Sequence, residues 1–172
     1  MSMYQVGDYV VYNEEGVCYV ANVGKLSMPS ADKNQQYYFL KPLSGDGKVY
    51  VPVDTTLPMR PVLNREQALA LIQEIPGIVA DINRFNNKRV LEEHYRAMMK
   101  PHTPEALVKT IKSVYEKRWG AGEKPKALNA TDEYYKKRAE AMLYQELALA
   151  LNIPVDQVER FICDSLDAAA GA

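Results

Sequence analysis

Residues 9–23 read Tyr9-Val10-Val11-Tyr12-Asn13-Glu14-Glu15-Gly16-Val17-Cys18-Tyr19-Val20-Ala21-Asn22-Val23, and their reading decides the fold of the first part of the chain. Two β-branched and aromatic runs flank a cluster of turn formers. Residues of the first kind fit a pleated, half-buried surface, and Asn and Gly tolerate the backbone of a turn. The stretch therefore predicts two successive strands. Working outward, the polar segment from Lys25 to Asn34 contains Pro29 and predicts a loop. Gln36-Tyr37-Tyr38-Phe39-Leu40 predicts a third strand and Lys48-Val49-Tyr50-Val51-Pro52 a fourth, with Ser44-Gly45-Asp46-Gly47 as a tight hairpin turn between them. Short strands at regular spacing with turn signals between them predict a small barrel, which limits exposed edges. A core of that length lies near the lower limit for independent stability, so packing on a following domain would support it.

The hydrophobic period changes at Asn64. Asn64 and Gln67 have the spacing of a capping box, and Ala68, Leu71, Ile72 and Ile75 follow at helical spacing. Pro76-Gly77 ends that helix and marks a boundary. A second helix is expected from Asn87 to Lys100. Thr103-Pro104-Glu105 combines an N-cap, a first-turn proline and an acid, and opens a helix to about Trp119 with Leu107, Val108, Ile111, Val114 and Tyr115 on one face. After a loop from Gly120 to Asn129, Thr131 is expected to open the longest helix, with Tyr135, Ala139, Met142, Leu143 and Leu147 inward. Pro154 starts a last short helix carrying Val158, Phe161 and Ile162. The expected fold class is α+β: a small β-barrel over residues 1–62, a connecting helix and boundary over 63–77, and an all-α bundle over 78–172.

Composition removes several function classes. Hydrophobic residues make up 47% and charged residues 25%, as in ordinary globular protein. No window approaches the roughly 18 apolar residues of a membrane span, so no membrane partner is expected. The opening Met1-Ser2-Met3-Tyr4 lacks the basic and apolar regions of a secretory signal. Cys18 and Cys163 fit neither a disulfide framework nor a zinc site, which is consistent with a reducing cytoplasm, and Cys18 reads as a buried thiol. The two histidines, His94 and His102, have no third ligand type nearby, so no metal is expected. No Gly-x-Ser-x-Gly or Cys/His constellation occurs. Gly120-Ala121-Gly122-Glu123-Lys124 lacks P-loop spacing and a preceding strand, and reads as an ordinary loop. Glu92, Glu93 and Glu133 read as charges on helix surfaces. The chain is therefore not expected to be an enzyme: no catalytic residue, no cofactor and no small-molecule substrate.

The net charge of −1 hides an uneven distribution. Residues 1–77 carry a balance of −2, residues 84–138 a balance of +7, and residues 139–172 a balance of −5. A basic middle segment fits either a surface that faces a polyanion or a solvated helical face.

The order of these features resembles a known family. Tyr4-Gln5-Val6-Gly7-Asp8-Tyr9-Val10-Val11-Tyr12 followed by Gly16-Val17 is similar to the opening of the CarD/CdnL transcription regulators. It is also similar to the related polymerase-interaction domain of the transcription-repair coupling factor. Lys48-Val49-Tyr50-Val51-Pro52-Val53 and Leu57 to Val62 resemble the end of that barrel. Leu107 to Tyr115, and Tyr134 to Glu140 leading into Glu146-Leu147-Ala148-Leu149-Ala150, resemble helices of the family's second domain. The resemblance covers about residues 3–151.

It implies a bacterial transcription regulator. Its first, Tudor-like domain would dock on the β subunit of RNA polymerase. Its helical domain would contact promoter DNA at the upstream edge of the melted bubble and stabilise the open complex. On the polymerase side it points to Lys25, Lys48 and Tyr50. Family members commonly place a wedge tryptophan near the start of the second domain. Here that region reads Arg84-Phe85-Asn86-Asn87-Lys88-Arg89, so Phe85 stands as the candidate wedge, or else as a core residue of the junction. Arg84, Lys88, Arg89, Lys136, Lys137 and Arg138 are the candidate phosphate contacts, at or beside helix starts, giving weak and sequence-independent affinity. The sole tryptophan, Trp119, reads as a partly buried cap on the bundle. The competing reading is an adaptor that uses the barrel to bind another protein, with the helices as scaffold.

Overall fold

The computed structural model describes residues 3–28, 34–120 and 124–171. The expected loop around Pro29 and the glycine-rich segment Ala121 to Glu123 lie wholly or partly outside those residues. The chain forms two compact units, residues 1–62 and 63–172, in an α+β arrangement.

The first unit is an antiparallel sheet of five strands: β1 (Tyr9–Tyr12), β2 (Gly16–Gly24), β3 (Tyr37–Pro42), β4 (Val49–Pro52) and β5 (Met59–Pro61), in the order β4-β3-β2-β1-β5. A single 3-10 turn over Asn13–Glu15 joins β1 to β2. Its ends are left-handed, at φ 43° for Asn13 and φ 74° for Gly16, conformations that Asn tolerates and Gly adopts without strain. Period-2 alternation puts Val10, Tyr12, Cys18, Val20, Tyr38, Leu40 and Val51 into one core. The opposite face carries Tyr9 beside Tyr19 and Phe39 beside Tyr50, with ring centroids 5.3 and 5.1 Å apart.

Two features differ from the sequence expectation. The β3–β4 connection is not a tight turn. Lys41 and Pro42 stay paired with β2 and Leu43 N–H donates to the Val17 carbonyl at 3.0 Å, so the β3–β4 ladder closes only at Leu40 and Val49. A fifth strand is also present. It is three residues long and bounded by Pro58 and Pro61, too short for an alternating pattern. The Pro58 carbonyl anchors it by accepting from Asn13 N–H at 2.8 Å.

The second unit holds α1 (Arg65–Glu74), α2 (Lys88–Met99), α3 (Pro104–Trp119), α4 (Ala130–Leu151) and α5 (Val158–Ala170). Asn64 and Gln67 form the reciprocal capping box, at 2.8 and 3.0 Å. Helix α4 begins one residue before the expected Thr131, because Asn129 is the cap and forms its own capping box with Asp132. Helix α5 is longer than expected and starts after a 3-10 turn at Val155–Gln157. Ala68, Leu71 and Ile72 of α1 share one core with Leu107, Val108, Ala139, Leu143, Leu147, Leu151 and Val158. Helix α1 is thereby part of the second unit's core. The buried Glu146 carboxylate accepts from Leu63 N–H at 3.0 Å, and Lys112 Nζ donates to the Ile75 and Ile78 carbonyls at 2.9 and 2.6 Å. A cation at carbonyls that follow a helix satisfies acceptors the helix leaves open.

Cys18 is fully buried, and burial first, with Glu15 second, pushes its thiol up to about 12. Cys163 is exposed. A thiol-disulfide reagent at mildly alkaline pH should titrate one cysteine quickly and the second only on unfolding. Cys163→Ser should abolish the fast phase; fast modification of Cys18 in that variant would contradict the packing of β2.

Candidate functional site

On the first unit, Lys25, Lys48 and Tyr50 are all exposed, but the structure does not gather them into one patch. Tyr50 lies in the middle of β4 and Lys48 just before that strand. Lys25 follows the end of β2, whose last residue Gly24 pairs with Tyr37, itself the partner of Pro52. Lys25 and Lys48 thus lie towards opposite ends of the sheet. Beside Lys48 an open cleft of about 610 Å³ is lined by Tyr9, Tyr19, Lys41, Pro42 and the loop to Lys48. Tyr9, Tyr19 and Lys41 were not singled out from the sequence, although alternation puts all three on the solvent face.

The free edge of β4 follows from its ladder. Val53 N–H donates to the Gln36 carbonyl at 3.1 Å, so in this register Val53, Val51 and Val49 turn their amides towards β3. Tyr50 and Pro52 turn theirs outward. Proline fits there because it has no ladder bond to give. Among the described residues, the Tyr50 N–H and carbonyl remain as main-chain pairing groups of this edge, with a side chain 44% exposed.

On the second unit the candidate residues are positioned by a buried polar network. Asp132, at the start of α4, has a side chain 1% exposed. Its Oδ1 accepts from Tyr95 Oη of α2 at 2.6 Å and from Lys117 Nζ of α3 at 3.0 Å, and its Oδ2 from Asn129 N–H at 3.2 Å. Lys117 Nζ also donates to Asn83 Oδ1 at 2.8 Å, and Asn83 Nδ2 lies 3.4 Å from Tyr95 Oη. Burial, then the Asp132 hydrogen bond, holds the Tyr95 phenol well above its usual range. Four separate segments meet here, and Asn83 is fixed directly before Arg84 and Phe85.

Arg84 is exposed and donates to the Asn83 carbonyl at 3.1 Å. Phe85 is 42% exposed, with the His94 ring edge-on at 5.4 Å. Lys88 and Arg89 are the first two residues of α2 and both are exposed. The Asn87 side chain already accepts from the Arg89 and Val90 amides at 2.9 and 3.3 Å, so an anion here would meet side chains rather than those N–H groups. Arg89 pairs with Glu93 at 3.3 Å, an exposed bridge that solvent screens.

Lys136, Lys137 and Arg138 do not lie at a helix start. They sit in the second and third turns of α4, where main-chain amides are spent on the helix itself. Lys137 is exposed, Arg138 is half-buried, and Lys136 lies 4.0 Å from Glu140, whose carboxyl is raised by burial and partly restored by Lys136. Trp119 is 49% exposed beneath the Arg118 guanidinium, 5.3 Å from its ring centroid. Among the described residues no group of three His, Cys, Asp or Glu could hold a metal ion, and no helix is long and apolar enough to cross a membrane.

Asp132→Ala would leave the Lys117 ammonium buried without its carboxylate, a loss of about 3–5 kcal/mol in a urea titration. The double variant Asp132→Ala with Lys117→Met removes both charges and should recover part of that loss. An additive double variant would mean that the two charges do not stabilise each other.

Residues 4–63 match the CarD-like/TRCF RID domain, and no curated protein matches the chain. The match spans β1 to β5 and ends at the entry to α1. This domain type belongs to a protein-interaction family rather than to a known enzyme family. Residues 4–63 of this chain are thus similar to the CarD-like/TRCF RID domain, which is the RNA polymerase-interacting domain of CarD-like proteins.

Proposed function

We propose that this chain is a non-enzymatic transcription regulator of the cytoplasm. Its sheet curls into a Tudor-like barrel that docks on the RNA polymerase β subunit, and residues 78–172 of its helical unit hold promoter DNA and stabilise the open complex. The observation that carries this reading is the RID match over residues 4–63. The free edge of β4 supports strand addition as the docking mode. Main-chain bonds through Tyr50 would give affinity, and the side chains of Lys25, Lys48 and Tyr50 would give specificity. The helical unit contributes exposed Arg84, Phe85, Lys88 and Arg89 on one short segment, with Lys136, Lys137 and Arg138 on α4. Such contacts position a protein on DNA without reading its sequence. Affinity for DNA alone would therefore be weak, and the polymerase tether would supply the rest.

Two measurements test this. Tyr50→Ala removes the side chain, whereas Tyr50→Pro also removes the outward amide without touching the ladder to β3. In capture of polymerase β subunit by the full chain, Tyr50→Pro should bind roughly tenfold more weakly than Tyr50→Ala, the worth of one main-chain hydrogen bond. Equal binding by the two variants would exclude pairing at this edge, and no capture by the native chain would leave the adaptor reading in place.

Phe85 makes its ring contact with His94 and is half in solvent, so Phe85→Ala should cost less than the roughly 3–5 kcal/mol of a buried phenylalanine. A wedge at a base step would instead show as a shortened open-complex lifetime in a heparin-challenge assay with polymerase. Native lifetime in that variant would remove Phe85 from the DNA interface.

A further inference from the structure

Helix α3 ends in a surface that the contacts proposed above do not use. Its inward stripe runs through Leu107, Val108, Ile111 and Val114. Tyr115 and Trp119 lie one turn apart at its C-terminal end, 61% and 49% exposed. A single apolar residue in solvent is ordinary. Two aromatic rings a turn apart on one flank, set among cations, are not explained by packing.

The charges around these rings come from three segments. Arg118 stacks over Trp119 at 5.3 Å. The Lys126 N–H donates to the Arg118 carbonyl at 2.7 Å, which brings the exposed Lys126 beside the helix end. Helices α3 and α4 run antiparallel: Lys117 meets Asp132 at 3.0 Å and Arg118 meets Glu133 at 3.9 Å, while Leu107 and Val108 share a core with Leu143 and Leu147. One turn back from Arg118 is Tyr115, and one turn on from Glu133 are Lys136 and Lys137. That register puts both lysines level with Tyr115.

We propose that the α3 flank of Tyr115, Arg118 and Trp119, with Lys126, Lys136 and Lys137, binds unpaired nucleic-acid strands. Unstacked bases would lie on the two rings, and the cations would follow the backbone. A duplex buries the faces of its bases in its own stack and offers this surface only phosphates. A single strand offers both, and base–aromatic stacking tolerates any sequence because every base has a π-face. The Arg118 plane over Trp119 extends the stacking surface and adds positive charge. The site shares Lys136 and Lys137 with the proposed duplex contact, but depends neither on polymerase nor on Phe85.

Trp119 is the only tryptophan of the chain, so its fluorescence reports the site directly. The test titrates the full chain, without polymerase, with a fluorescein-labelled thymidine oligonucleotide of about twelve nucleotides and with its duplex. The single strand should quench Trp119 and bind at least about tenfold tighter than the duplex. Tyr115→Ala and Trp119→Ala, read by anisotropy, should each weaken single-strand binding by about tenfold. Their melting temperatures should fall only slightly, since the rings are 61% and 49% exposed, and Trp119→Phe should restore most of the affinity. Lys136→Ala with Lys137→Ala should flatten the salt slope by about one unit per lost contact. Failure of the wedge reads in open-complex lifetime with polymerase, and failure of this site in single-strand binding without it, so the two remain distinct. Equal affinity for strand and duplex with no effect of Tyr115→Ala would reduce the surface to a charged patch and overturn the proposal. Absence of single-strand binding, or binding without change in Trp119 emission, would overturn it as well.

Discussion

A buried carboxylate needs donors on every side, and Asp132 takes them from three places at once. Removing an ionised group from water costs several kcal/mol, and a single counter-ion repays this only with good geometry and full hydrogen bonding. Lys117, Tyr95 and the Asn129 amide meet that requirement, and Lys117 is in turn completed by Asn83. The donors belong to α2, α3 and the turn before α4, and the last acceptor to the irregular segment before α2. No one of these segments can shift without leaving a charge or hydroxyl unpaired. An apolar cluster of equal volume would tolerate sliding. The network instead fixes one arrangement, and in doing so sets where Arg84 and Phe85 emerge.

The first unit solves a different problem. Among the described residues β4 and β5 end the strand order, and an end strand is a template for unwanted pairing. Pro52 and Pro61 occupy outward-facing positions of β4 and β5, where a missing N–H costs the ladder nothing. The edges are thereby reduced to few pairing groups rather than abolished. A reduced edge suits a domain that meets one partner: it discourages self-association while Tyr50 keeps both of its main-chain groups.

Local signals made much of this fold legible in the sequence. The capping box at Asn64 and Gln67, the Thr103-Pro104 start and the β-branched and aromatic run Tyr9–Tyr12 each depend on residues within a few positions of one another. The missed features have distant causes. Residues 83, 95, 117 and 132 show no mutual pattern in a linear reading, and Asp132 looks like any acid in a first turn until Tyr95 and Lys117 arrive beside it. β5 is too short to carry a period, and the β3–β4 turn lengthens because Lys41 and Pro42 remain held by β2. For the candidate site, the sequence offered residues but not their positions. Lys136 to Arg138 were expected at or beside a helix start, yet with Asn129 as cap they fall in the second and third turns of α4.

The balance of +7 over residues 84–138 also changes meaning in three dimensions. Lys117 is spent on Asp132 and Lys112 on the carbonyls at the end of α1, while Arg89, Arg118 and Lys136 face carboxylates within 4.0 Å. Counterion release counts only those charges that reach phosphate, so an affinity inferred from the sum would be too high. Residues such as Lys88, Lys126 and Lys137 lie in solvent and come from different segments rather than from one helix. Dispersed cations hold a flexible or bent polyanion better than a straight one, and they carry no base selectivity. Under the proposed function, any discrimination then falls to the aromatic rings between them. Tyr115 and Trp119 would reward bases that have left the stack, and Phe85 would wedge a base step. Under that proposal the surface would select DNA by its state of pairing rather than by its sequence.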